Sequence, residues 1–168
     1  TQKLFKLKIM QKVISLFILL LSFNSFSQEV FDYEFDDNVT IQVVEDAEEG
    51  EIPGGKYVKG TYKNEVIVFS SSDKGKDKLA NTDDAGLLKF FQGVKDGAVK
   101  SSKGKLLNEE IITLHDLKAL KFSFTLDING KKNIVENYVF VYKNLAYTLQ
   151  FMDTEKGFDK LTDFRTKI

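Results

Sequence analysis

His115 stands beside Asp116, and it is the only histidine in the chain. An imidazole with a carboxylate to orient it is the base half of a nucleophilic centre. The other half is missing. There is no cysteine, and a serine nucleophile would call for the G-x-S-x-G elbow, which the sequence lacks. Adjacency along the chain also does not supply the hydrogen-bonded relay of nucleophile, base and orienter. His115 therefore reads as a surface residue in a turn.

The carboxylates are plentiful but wrongly spaced for metal. Zinc wants several Cys or His ligands. The acids of Asp73-Lys74-Gly75-Lys76-Asp77 and Asp83-Asp84 lack the D-x-[DN]-x-[DN]-G spacing of a calcium loop, and lysines crowd them. Asp36-Asp37 suits a turn, where Asp is favoured for backbone reasons. No metal ligand and no catalytic residue is expected, and the chain is not expected to be an enzyme. No phosphate-binding glycine loop appears, so no cofactor is expected either. Arg165 is the only arginine, which argues against nucleic acid, whose phosphates and bases are read so largely by Arg.

Aromatic spacing suggests one site. Phe122, Phe124, Tyr138, Phe140, Tyr147 and Phe151 recur at every second position of successive segments. Such rings could line a groove for an apolar ligand. The alternative is that they are core, packed under a helix.

Strands must position these rings. From residue 117 to 152 apolar and polar residues alternate with little slack, the pattern of pleated strands with one buried face. Asn129-Gly130 and Lys143-Asn144 mark two tight hairpin turns. The middle strand carries Val135, Val139 and Val141 on its second face, so it should be interior and covered on both sides. A two-residue loop at Asn129-Gly130 would put Phe122 and Phe124 opposite Tyr138 and Phe140, because a one-residue slip flips every side chain. An odd loop or a bulge near Gly130 is therefore expected, bringing all six rings to one face.

Upstream, residues 30–35 and 39–45 read as short strands around Asp36-Asp37-Asn38. Residues 47–55 read as loop. Two further strands, 56–62 and 65–70, flank Lys63-Asn64. Residues 71–81 are polar and read as loop. Thr82-Asp83-Asp84 looks like a capped helix start. Leu87, Phe90, Phe91, Val94 and Ala98 follow at helical spacing. Gly93 and Gly97 weaken that helix unless they let it approach the sheet closely. Residues 106–114 form a strand, and a turn at His115-Asp116 leads on. A last helix should carry Phe158, Leu161, Phe164 and Ile168 on one stripe. The fold class is α+β: a mainly antiparallel β-sheet with two amphipathic helices packed on it.

The N-terminus has a different character. Lys3, Lys6, Lys8 and Lys12 precede an apolar run over residues 13–23, and Ser25-Phe26-Ser27 offers small residues before a cut. This is the layout of a secretory signal peptide over 1–27, with Met10 a plausible start. The run is short for a membrane span, which needs about 20 apolar residues, so no stable span is expected once it is cleaved. The expected product is one domain, 28–168, periplasmic or secreted. The four signal lysines leave 20 basic and 25 acidic residues, net −5. Residues 28–51 hold ten acids and no base, which suits a solvated edge strand guarded by charge.

Residues 90–168 resemble the PsbP-like (Mog/PsbP-type) group. The likeness rests on a long meander before a terminal helix, on the run Ala146-Tyr147-Thr148-Leu149-Gln150-Phe151, and on Phe158-Asp159-Lys160-Leu161-Thr162-Asp163-Phe164. The resemblance implies an exported, non-catalytic binding or accessory module of the cell envelope, and it carries over no functional residue. The partner is then an envelope protein or, alternatively, a small apolar ligand in a cleft between helix and sheet.

Overall fold

A computed structural model describes residues 30–162, apart from the side chain of Leu161. The expected signal segment and the positions of Phe164 and Ile168 lie outside these residues.

Nine strands account for most of the described residues. They are β1 (Val30–Asp36), β2 (Val39–Val44), β3 (Glu48–Ile52), β4 (Gly55–Tyr62), β5 (Glu65–Ser72), β6 (Leu106–Leu114), β7 (Leu117–Ile128), β8 (Lys131–Tyr142) and β9 (Leu145–Thr154). The helices are α1 (Lys76–Leu79), α2 (Asp84–Ser102) and α3 (Glu155–Phe158), the last running into a 3-10 turn at Asp159–Leu161. Strands β3 to β9 form one seven-stranded antiparallel sheet in the order β3-β4-β5-β9-β8-β7-β6. β8 is interior, as its two apolar faces require. β1 and β2 pair only with each other, as a separate two-stranded sheet.

Three consecutive two-residue turns build the half of the sheet from β6 to β9. His115-Asp116, Asn129-Gly130 and Lys143-Asn144 all have positive φ at both positions. That is the conformation whose twist matches two antiparallel strands. Asn and Gly tolerate it readily, and the tight loop forces it on His115 and Lys143.

The register corrects one expectation. Ile128 pairs with Lys131, so the turn at Gly130 is a plain two-residue loop with no bulge. Leu120 then lies beside Val139, Phe122 beside Asn137 and Phe124 beside Val135. Tyr138 and Phe140 face the other way, beside Leu149 and Tyr147. The six rings are therefore shared between two faces. An irregularity in register does occur, but in β6, between Leu106 and Asn108.

Each face has its own core. Phe91 of α2 packs with Leu120, Phe122, Phe124, Val135 and Val139 on the first face. Phe35 and Val43 of the β1–β2 hairpin pack with Val58, Phe69 and Tyr147 on the second. Both faces are thus covered, which is why the sheet can be apolar on both sides.

α2 begins where expected, but its cap is Asp83, whose side chain accepts from the Gly86 amide at 2.8 Å. It ends at Lys103, in the left-handed conformation, with the Gly104 amide closing on Val99 O at 3.2 Å. Gly93 and Gly97 face open space, with nothing near a notional Cβ. They do not serve a close approach to the sheet. Just past the helix end Gly104 is tight, since an added Cβ would collide with the Thr125 carbonyl oxygen.

Two segments expected as loops are structured. Residues 48–52 form β3, whose Glu-rich sequence has little strand propensity of its own but is held by pairing to β4. Within 71–81, the single-turn helix α1 buries Leu79. The C-terminal helix starts earlier than the turn read over residues 153–157 implied, at Glu155, with Thr154 Oγ1 accepting from the Gly157 amide at 3.2 Å and Phe158 buried.

Candidate functional site

A cavity of about 680 Å³ lies between the β1–β2 hairpin and the second face of the sheet. Volumes of roughly 300–1,000 Å³ are usual for small-molecule sites. β2 forms one wall, through Val39 and Ile41 among others. Val58, Phe69, Leu149, Tyr138 and Phe140 form the floor. Leu114, His115 and Leu117, at the β6–β7 turn, lie at one end.

Tyr147 fixes the hairpin over this floor. Its hydroxyl donates to Asp36 Oδ2 at 2.9 Å, while the other carboxylate oxygen, Oδ1, accepts from the amides of Asn38 and Val39 at 2.8 and 3.0 Å. One side chain therefore both shapes the hairpin turn and ties it to β9. Burial first, and then the Asp36 carboxylate, push the Tyr147 hydroxyl well above the usual tyrosine range. Deprotonation there would set a phenolate against a carboxylate in a desolvated place. The Phe35 ring meets Phe69 edge-on at 4.8 Å, and Lys56 Nζ donates to the Phe35 carbonyl oxygen. Along β1, the Glu49 carboxylate of β3 beside Tyr33, with burial, raises its hydroxyl too.

The floor is a stack of rings. Tyr147 lies 5.3 Å from Phe140 and 5.9 Å from Phe69, nearly parallel to both. Offset stacking of this kind adds about 0.5–1.5 kcal/mol per pair beyond area burial. The floor is consequently stiff, whereas the hairpin above it is held at a few points.

Of the six rings, only Tyr138 and Phe140 line the cavity. Tyr147 is fully buried and stacks on Phe140. Phe151, also fully buried, meets Tyr138 edge-on at 6.1 Å. Phe122 and Phe124 stack on each other at 6.0 Å on the opposite face, beneath α2. The helix–sheet interface is packed core, and the cavity lies on the hairpin side instead. The alternation of Val39, Ile41 and Val43 was the signal for the missing wall. The share of Leu114, His115 and Leu117 has no local signal, because it comes from register.

The chemistry available here is mainly apolar contact. His115 is exposed in its turn, with φ 44°. Among the described residues no group of three or more His, Cys, Asp or Glu side chains is placed to hold a metal ion. No described helix is long and apolar enough to cross a membrane.

No protein-family model matches the chain, and no curated protein matches it. Solved structures do. Cyanobacterial PsbP (CyanoP) from Synechocystis sp. PCC 6803 superposes with a TM-score of 0.58 at 10% identity, over 82% of this chain and 87% of that one. PA94 from Pseudomonas aeruginosa, a protein of unknown function, does so with a TM-score of 0.54 at 13% identity, over 83% and 92%. At such identities the likeness is one of fold, and the fold of this chain is PsbP-like.

Proposed function

We propose that the protein is an exported, non-catalytic binding module, and that its site is the apolar cavity beneath the β1–β2 hairpin. The observation that carries this is the cavity itself: about 680 Å³ walled chiefly by Val, Ile, Leu and aromatic side chains. Water in such a space would find few hydrogen-bond partners, so an apolar ligand that displaces it binds favourably. The N-terminal pattern of lysines and an apolar run supports export, and the absence of a nucleophile–base motif from the sequence supports a binding role over a catalytic one. Native mass spectrometry of protein purified from cell envelopes is the test. Co-purified apolar mass, lost in Ile41→Trp, is expected. A protein that is ligand-free and also fails to take up any apolar dye would refute the reading.

A second reading, an envelope protein as partner, has its own support. β6 is an edge strand, and its Leu107 and Ile111 are each 48% exposed. Free edges invite pairing with another chain. Crosslinking in intact cells that captures one protein through β6, and loses it in Ile111→Lys, is the outcome this reading requires.

A further inference from the structure

The cavity is a slot, and its ends differ. Strand register lays out the floor. Val58 of β4 pairs with Phe69 of β5, Phe69 with Leu149 of β9, and Leu149 with Tyr138 of β8. The lining then continues through Phe140 to Leu117 of β7 and Leu114 of β6. Six neighbouring strands contribute, and with about 4.8 Å between strands the row extends on the order of 24 Å. The lining is therefore elongated, around a cavity of about 680 Å³.

At the β4 end the lining is aliphatic. Val58, Gly60, Val44 and Ala47 line it, and Val44 packs so tightly on Gly60 that a Cβ there would collide with it. At the β6 end lies His115, exposed in its two-residue turn. A ligand that matches this slot has a linear apolar body and one polar terminus near His115.

We propose, on the reading that the cavity binds an apolar ligand, that it takes a single unbranched acyl chain of a fatty acid. The methyl end lies toward Gly60 and the carboxylate lies at His115, whose ring N–H donates to it. Each methylene added inside the slot removes further apolar surface from water, and the carboxylate stays in solvent at the mouth. No bond is made or broken.

Displacement of a linear fluorescent fatty acid from the full domain tests this. Octanoate, dodecanoate and hexadecanoate should compete progressively better, by roughly two- to fourfold per methylene. Hexadecanoate should outcompete hexadecan-1-ol. His115→Gly, which suits the positive φ, should remove that preference and keep the chain-length trend. Ile41→Trp, or Leu149→Trp should the first not fold by circular dichroism, should weaken hexadecanoate more than octanoate. If a compact sterol binds and chain length has no effect, the acyl assignment is overturned while the apolar site stands. If neither sterol nor fatty acid binds, both fail.

Discussion

Tyr147 and Asp36 are 111 residues apart in sequence and joined by a 2.9 Å hydrogen bond. The bond fastens the β1–β2 hairpin to the sheet. Tyr147→Phe leaves the Asp36 oxygen without its donor, which should cost about 1.5–3 kcal/mol, read from urea unfolding. The bond also sets an alkaline limit. The Tyr147 hydroxyl titrates higher in the folded protein than its ordinary value of 10.0. Its contribution is therefore complete below pH 10 and is lost as pH rises through the raised value. Tyr33 shifts the same way. Stability should fall above pH 10, and Tyr147→Phe should flatten that fall.

Phe122 and Phe140 were expected on one face and occupy opposite ones, so their truncations should differ in kind. Phe122 is 2% exposed beneath α2. Phe122→Ala should cost about 3–5 kcal/mol and leave the hairpin side intact. Phe140 is only partly buried and lines the cavity. Phe140→Ala should cost less in thermal melts and change dye binding more.

The helix glycines make a contrast. Gly93 and Gly97 have open space where a Cβ would go, so each Gly→Ala change should stabilise α2 by roughly 0.5–1 kcal/mol. Gly104→Ala drives a methyl into the Thr125 carbonyl and should destabilise by about 1–3 kcal/mol. Melting temperatures of the three variants should move in opposite directions.

Lys95 of α2 is 5% exposed and pairs with Glu109 of β6. Glu109→Ala leaves that ammonium its longer contact to Asp96, at 3.8 Å, and its bond to Gln92. Because Glu109 is itself half exposed, a cost of about 1–2 kcal/mol is expected rather than the full penalty of a stranded charge. Lys95→Met removes the charge together with its desolvation and should be close to neutral. Equal losses in the two variants would contradict this account.

The meander from β6 to β9 was legible because alternation and turn chemistry agree there. Strand β6 was expected at 106–114 and forms Leu106–Leu114. The face assignment failed because six aromatics at even spacing suggested a single core. The sheet has two, and Asn129-Gly130 makes its ordinary tight turn. β3 was illegible because Glu48, Glu49 and Glu51 offer no apolar face, and its order comes from β4. The cavity could not be read from the sequence as a unit. Its walls, residues 39–44 and 114–117, come together only once the sheet is assembled.

The β1–β2 pair shares no backbone ladder with the seven-stranded sheet. Its hold is through side chains: Tyr147 on Asp36, Lys56 on the Phe35 carbonyl, and Phe35 and Val43 packed in the second core. Excursions that lift it expose the second core but need not unzip any strand of the larger sheet, so they lie below global unfolding on the free-energy scale. Deuterium should enter the amides of residues 30–44 well before those of β7 and β8. The entrance for any guest would then be a native fluctuation already present in the empty protein.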